Sequence, residues 1–563
     1  MTGAQYLVEV LKRYNVTDAF GIPGGVILEM IYALNESGTI TPHLCYHEQA
    51  AGFAAVGYAQ SSGKLGVAYA TRGPGFTNLV TSIADAYCDS VPVLFITSHV
   101  GKTLNPNIRL TNNQEIDTCT MVGGITKYAK RIESPDEFVF NIEEACVLAM
   151  EGRKGPVFID VASSVWKADV GNENKKVSSF TNNIKSDSYV YDVAEAIRKA
   201  KRPIILIGDG INQTKTGYLF QQFAEKCQIP VLSSRYATNV LATSPLYFGY
   251  IGGFGVRYAN FILSKTDLII SLGNRLNFPI NSESYRNIPY QAKIVRFDID
   301  EGELSRKIPQ STSYNIELTN ALSALAGCDF EFGNHDDWIS VCNIIRKALW
   351  DEDVNEVVKG IDSILENIPD SFTVISDVGN HEFWVSRACA HSMRDGNLLY
   401  SKSFATLGCA MVKAIGAYYA TKEPVVCFIG DQGFQMNCQE LLYISQHNLP
   451  ILVVIMNNFV SGMIRDKEIT DYDASFLHST KDSDYLIPDF ARLVQTYNIN
   501  YCELDARHIE KTPLSLQSLK MPCVLNMLID ENLSLEPSLP RGREPQAMLP
   551  DIDPIKYKKL CDL

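Results

Sequence analysis

Two apolar runs, each stopping at polar residues, constrain this chain more than any other feature. Val425-Val426-Cys427-Phe428-Ile429 ends at Gly430-Asp431-Gln432-Gly433-Phe434, and Ile451-Leu452-Val453-Val454-Ile455-Met456 ends at Asn457-Asn458. Between them, Met436 to His447 reads as a helix with Leu441, Leu442 and Ile444 on its apolar side. The unit is β-α-β, and its polar residues fall at the carboxyl ends of both strands, where open parallel sheets place ligands. An Asp carboxylate and an Asn carbonyl suit a hard cation such as Mg²⁺, which takes few oxygens from protein and the rest from phosphates and water. Asp431 and Asn458 are therefore candidate metal ligands in a site suited to a diphosphate.

At 563 residues the chain is too long for one core and fits three domains of ordinary size. The net charge of −14 argues against a nucleic-acid or anionic-membrane partner, both of which need a basic surface. No uninterrupted apolar stretch reaches the ~18 residues of a membrane span. The N-terminus reads as an amphipathic helix rather than a signal sequence, so a cytoplasmic location is expected. None of the 14 cysteines forms a C-x-x-C pair, and most sit in apolar runs, so reduced buried thiols are expected rather than a zinc site.

Strands alternate with helices throughout, which implies α/β domains with parallel sheets covered on both faces. A first domain, 1–170, has apolar strands at 18–22, 65–70, 91–97 and 156–161. Residues 171–187 are polar and aperiodic, the mark of a linker. A Rossmann-like central domain, 188–345, follows, with strands at 203–207, 230–232, 267–272 and 293–299. The third domain, 360–530, contains the opening motif, and a Pro- and charge-rich tail, 531–563, ends the chain.

The GD-x-(about 25)-NN pattern resembles the signature of thiamine-diphosphate enzymes, and GDQGFQMNCQEL…LPILVVIMNN most resembles their acetolactate synthase branch. The third motif position, usually Gly, is Gln432 here, with Gly433 next; a side chain there could crowd a diphosphate or donate to it. The resemblance implies thiamine diphosphate and Mg²⁺, with the Val460 carbonyl as a third protein ligand. It places a catalytic acid at Glu48, in His47-Glu48-Gln49-Ala50-Ala51-Gly52-Phe53-Ala54-Ala55, where it would meet the aminopyrimidine. It sets Leu407 as the apolar wedge that bends the cofactor, in a segment similar to the family's G-x-M-G-x-x-x-P-A-A-I-G. Asp377-Val378-Gly379-Asn380-His381-Glu382-Phe383-Trp384 resembles the GQHQMW segment, making Asn380 and His381 diphosphate donors. Gly462 and Met463 would contact the aminopyrimidine.

For substrate, carboligases of this branch carry Phe-Gln-Glu where simple 2-oxoacid decarboxylases carry a His pair. This chain has Asn113-Gln114-Glu115, which keeps the Gln, lacks the histidines and hints at a more polar acceptor. Arg72, in place of the family's usual Ser, could pair with an anionic substrate or with a neighbour. The polar stretch 464–487 resembles a lid, with Arg465 and Asp466 facing the pocket. Lys127 matches a family lysine or is a plain surface charge. In the central domain Gly208-Asp209-Gly210 is only a fragment of a phosphate loop, and FAD is one possibility there beside another nucleotide or an empty site.

The reaction implied is loss of CO₂ from a 2-oxoacid, pyruvate by default, and transfer of the acyl-anion equivalent to an acceptor carbonyl. Alternatives are a carboligase acting on a ketosugar nucleotide, a simple decarboxylase, an FAD-dependent oxidase and a non-catalytic relative. A homodimer or homotetramer with active sites between subunits is expected from the family.

Overall fold

The computed structural model describes residues 1–101, 108–109, 112–171, 188–278, 292–511 and 519–563. All of the expected linker but Gly171, and Leu110 and Thr111 of the substrate segment, lie outside the described residues.

Three six-stranded sheets, every neighbouring pair parallel, make up the molecule. The first holds β1 (Asp18–Gly21), β2 (Thr41–Leu44), β3 (Gly66–Tyr69), β4 (Val93–His99), β5 (Tyr128–Ile132) and β6 (Val157–Ala162), ordered β2-β1-β3-β4-β6-β5. The central sheet holds β7 (Pro203–Ile207), β8 (Val231–Ser233), β9 (Tyr247–Tyr250), β10 (Leu268–Leu272), β11 (Lys293–Asp298) and β12 (Ser311–Asn315). Its order, β12-β11-β10-β7-β8-β9, is the doubly wound order of dinucleotide-binding folds. The third holds β13 (Thr373–Ser376), β14 (Leu398–Tyr400), β15 (Val425–Gly430), β16 (Ile451–Asn457), β17 (Asn500–Asp505) and β18 (Cys523–Leu528). Its order, β14-β13-β15-β16-β18-β17, repeats that of the first sheet strand for strand. Interior strands such as β4 and β16 are buried at every position, as helices on both faces require.

The first and third sheets share one apolar core. It forms where the helix Glu48–Ser62 crosses the helix Ala410–Thr421, the two occupying equivalent places in their domains. The crossing depends on glycine. A Cβ on Gly57 would lie 2.2 Å from the Lys413 carbonyl oxygen, and one on Gly416 would lie 1.8 Å from that of Ala54. Beside the crossing, fully buried Lys413 of the third domain pairs with fully buried Asp85 of the first at 2.9 Å. Burial opposes the ammonium, yet Asp85 holds its proton affinity above the ordinary lysine value.

Two expectations need correction, and the tail has a fixed place. The helix read at 436–447 starts at Asp431 and breaks at Asn437, whose amide donates to the Gly408 carbonyl; a 3₁₀ turn and the helix Leu441–Gln446 follow. The aperiodic 464–487 stretch contains most of a helix, Gly462–Asp471. The tail is docked, because Arg387 donates to the Glu536 and Pro537 carbonyls and the helix Pro554–Cys561 buries Leu560 on the central domain.

Candidate active site

In the third sheet the order reverses between β13 and β15, and ligands of such sheets bind outside the strand ends at that point. Asn380 and His381 follow β13, and Asp431 follows β15. Asp431 is buried; its Oδ1 accepts from the Tyr485 hydroxyl at 2.6 Å and from the Gln432 amide at 2.8 Å, and its Oδ2 from the Phe459 amide at 3.0 Å. Burial lifts its pKa to about 6 against these donors, led by Tyr485. The Asn458 and Asn380 amides converge on Gly462, where a Cβ would lie 2.9 and 2.8 Å from their Nδ2 atoms. Val460 is buried beside them in sequence.

His381 is fully enclosed, so burial lowers its pKa to about 3 and the imidazole is neutral at physiological pH. Its Nε2 is buried with no hydrogen-bond partner, and so is the Asn380 Oδ1. The His381 Cε1 sits 3.3 Å from where a Gly430 Cβ would be. The helix Asn380–His391 begins here with no side-chain cap, its Glu382 amide turning back to the Gly379 carbonyl at 3.1 Å, and such an uncapped start favours an anion. Orphaned polar atoms, uncapped amides, one carboxylate and one carboxamide form a donor set that fits a Mg²⁺-bound diphosphate. Gln432 exposes its side chain, whereas Gly433 lies against Asp377, with 2.5 Å from a Cβ position to the Asp377 Oδ2.

Asp377 was not assigned a role from sequence. Its carboxylate accepts from the amides of Gly408 at 2.8 Å, Cys409 at 3.0 Å and Ala410 at 3.1 Å, fixing the loop that carries Leu407. Burial raises its pKa to about 6, against the donors Gly408 and Ala410. From the other side Asp85 takes the Ser401 hydroxyl and, at 3.1 Å, that of Thr406. Leu407 is left 37% exposed at the end of a loop held from both sides. Met463 is exposed as well.

The first domain presents its own set at the corresponding strand ends. Glu48 opens the helix Glu48–Ser62, and its Oε2 accepts from the Asn78 amide at 2.9 Å. Its Oε1 lies 3.3 Å from a Gly75 Cβ position, so a side chain there would crowd it. Gln114 has φ +62°, and Gly73 packs on it at 2.7 Å from a Cβ position to the Gln114 carbonyl. The 72–75 turn thus joins Gln114 to the surroundings of Glu48; Asn113 and Gln114 are exposed. Arg72 pairs with buried Glu115 at 3.6 Å, while its Nη1 has no hydrogen-bond partner. Lys127 is remote from this set. It precedes β5, at the opposite end of the sheet, and donates to the Glu151 carbonyl.

Arg465 is turned toward the tail: it pairs with Asp466 and donates to the Leu533 carbonyl and the Ser534 hydroxyl, each at 3.1 Å. Among the described residues no hydrogen bond joins the Glu48 set to the Asp431 set. Tyr485, sequence-silent because its surroundings have no period, touches the candidate metal ligand, as does the Phe459 amide.

At the central sheet the described residues leave no cradle for a dinucleotide phosphate. A Cβ on Gly208 would lie 2.2 Å from the Gly273 carbonyl oxygen, and the Asn274 amide donates to the Ile207 carbonyl. Arg235, paired with Glu382 at 2.9 Å and stacked on Phe383, fills the space toward the third domain.

Fold and sites define a three-domain α/β protein whose first and third domains are copies of one fold, each with a ligand half-site. Family models describe the N-terminal TPP binding, central and C-terminal TPP binding domains of thiamine pyrophosphate enzymes; they match residues 1–121, 190–325 and 377–525. The chain is 32% identical to the acetolactate synthase large subunit of Lactococcus lactis subsp. lactis (strain IL1403), over 97% of this chain and 96% of that protein. It is 30% identical to the acetolactate synthase isozyme 2 large subunit of Escherichia coli (strain K12), over 98% and 99%. A probable acetolactate synthase large subunit of Methanococcus aeolicus is also 30% identical, over 95% and 93%. The chain belongs to the thiamine pyrophosphate enzyme family, in its acetolactate synthase-like branch. Among the described residues no helix is long and apolar enough to cross a membrane.

Proposed function

We propose that this protein is a thiamine-diphosphate- and Mg²⁺-dependent carboligase, which decarboxylates a 2-oxoacid, pyruvate by default, and joins the remaining unit to an acceptor carbonyl. The observation that carries this reading is the unpartnered, buried His381 Nε2 beside Asp431 and Asn458. Bound thiamine diphosphate would supply the acyl-anion equivalent left when CO₂ departs.

The chain's own residues do the placing. Asp431, the Asn458 side-chain oxygen and the Val460 carbonyl would hold Mg²⁺, and Asn380, His381 and the helix amides the diphosphate. Gly433 lets the Leu407 loop pack close, and Leu407 stands as the wedge. Gly462 and Met463 border the aminopyrimidine side. Glu48, oriented by Asn78, would exchange a proton with the pyrimidine N1′. With no hydrogen bond between the two sets among the described residues, Glu48 would face the diphosphate half of a second copy, making the active unit a dimer. Exposure of Leu407, Met463 and Phe459 supports a covering subunit.

Gln114 would orient the acceptor. With no histidine pair at 113–114, a proton donor for aldehyde release is missing and carboligation is favoured. A bulkier anionic acceptor, such as a ketosugar nucleotide, is a second reading. It is supported by polar, exposed Asn113. The test is mass spectrometry of products from pyruvate with a panel of 2-oxoacids, aldehydes and ketosugar nucleotides. Condensation products in excess of acetaldehyde are expected; acetaldehyde alone sinks the proposal.

A further inference from the structure

Away from both half-sites, a cleft opens where all three domains meet. Lys154 and Gln60 of the first domain, Asp209 and Lys215 of the central domain and Lys402 of the third line it. Three ammonium groups and one carboxylate face it, a local excess of positive charge in a chain whose net charge is −14. Of these cations only Lys402 has, among the described residues, a carboxylate within ion-pair distance, Asp209.

The other two cations reach only carbonyls, at long range. Lys215 Nζ is 3.3 Å from the Gln60 oxygen and 3.4 Å from that of Ser61, and Lys154 Nζ is 3.4 Å from that of Gln213. Lys215 also holds a left-handed backbone, φ +54°.

Two acceptors in the same cleft lack donors: the Asp209 Oδ1 and the Gln60 Oε1 are both buried with no hydrogen-bond partner. Unpaired cations beside unpaired acceptors fit a ligand carrying both an anion and hydroxyl groups. From Lys215 and Asn212 the cleft continues into a groove past Tyr218 and Pro245, with a cavity volume of about 560 Å³, the size of a small-molecule site.

We propose that this junction binds a phosphate monoester of a polyhydroxylated small molecule. The phosphate lies among Lys154, Lys215 and Lys402, hydroxyls donate to Asp209 and Gln60, and the remainder extends over Tyr218. Lys402 heads the loop that ends at Leu407, and its amide rests on Asp89 at 2.7 Å. The site is therefore one loop away from the proposed wedge, yet distinct from it.

The experiment is calorimetric titration of inorganic phosphate and of ribose 5-phosphate into protein saturated with thiamine diphosphate and Mg²⁺, so that the diphosphate pocket is blocked. Saturable binding of both is expected, with the sugar phosphate tighter. Lys215→Gln and Lys154→Gln should each weaken both ligands about tenfold, the scale of one lost charge-assisted contact. Asp209→Asn should weaken the sugar phosphate while leaving or strengthening phosphate, since it frees Lys402. Absence of saturable binding overturns the site, as does binding unchanged in both lysine variants. A sugar phosphate no tighter than phosphate overturns the polyol assignment. Circular dichroism of each variant separates lost binding from lost fold.

Discussion

The first and third domains have the same strand order and opposite chemistry. Both place their functional loops at the point where the sheet order reverses, so topology fixes where a ligand can sit in each. In the third domain those loops carry a carboxylate, two carboxamides, a neutral imidazole and uncapped helix amides, a set that suits a metal-bound polyanion. In the first they carry one carboxylate held by one amide, Glu48 and Asn78, beside a glycine turn that keeps the approach open. On the proposed reading one copy of the fold serves as a clamp and the other as a proton-handling face, and the two meet between the chains of a dimer.

The strongest test of that division uses two dead variants. Glu48→Gln and Asp431→Asn should each retain less than about 1% of activity, the scale of losing an acid-base group or metal ligand. Glu48→Gln should still bind thiamine diphosphate but lose most hydrogen-deuterium exchange at its C2; Asp431→Asn should fail to bind it. Refolded together in equal amounts, the two should recover about a quarter of wild-type activity, because half the dimers then carry one intact site of two. No recovery would mean that each chain builds its own site.

The two copies are also bound to each other, and that join can be broken by degrees. Lys413→Met leaves Asp85 buried without its counter-charge and should cost about 3–5 kcal/mol in denaturant unfolding. Gly416→Ala forces a methyl against the Ala54 carbonyl and should cost about 1–3 kcal/mol. Gly217→Ala, with no atom within 4 Å of its Cβ position, is the control and should be close to neutral. Equal losses in the two glycine variants would deny the close crossing its role.

How much of this was legible from sequence follows from burial. All ten strands named from apolar runs are interior strands, covered by helices on both faces and therefore continuously apolar. Of the edge strands that escaped notice, β2, β12 and β17 carry exposed residues along their length and β14 is three residues long; β9, although buried, and interior β13 and β18 escaped as well. The candidate site divides the same way. Asp431, Asn458, His381 and Glu48 stand in motifs next to strand ends. Tyr485 reaches Asp431 from a segment without a period, and Lys413 meets Asp85 across 328 residues, so neither contact leaves a local pattern. Asp377 sat in plain view within a recognised segment, but its partners, the amides after Leu407, are visible only in three dimensions.

The smallest effect sharpens the comparison from the opposite end of the sheet. Lys127 lies at the amino ends of the strands, where neither copy keeps chemistry, so Lys127→Met should leave kcat and KM unchanged. Burial lowers its pKa to about 8, well under the ordinary lysine value. Between those two values the unfolded chain holds the proton and the folded one does not, so this residue makes stability rise with pH across that window. Unfolding midpoints measured from pH 8 upward should rise less steeply in Lys127→Met than in wild type. An activity loss at unchanged stability would instead place this lysine in the site and blur the division between the two ends of the sheet.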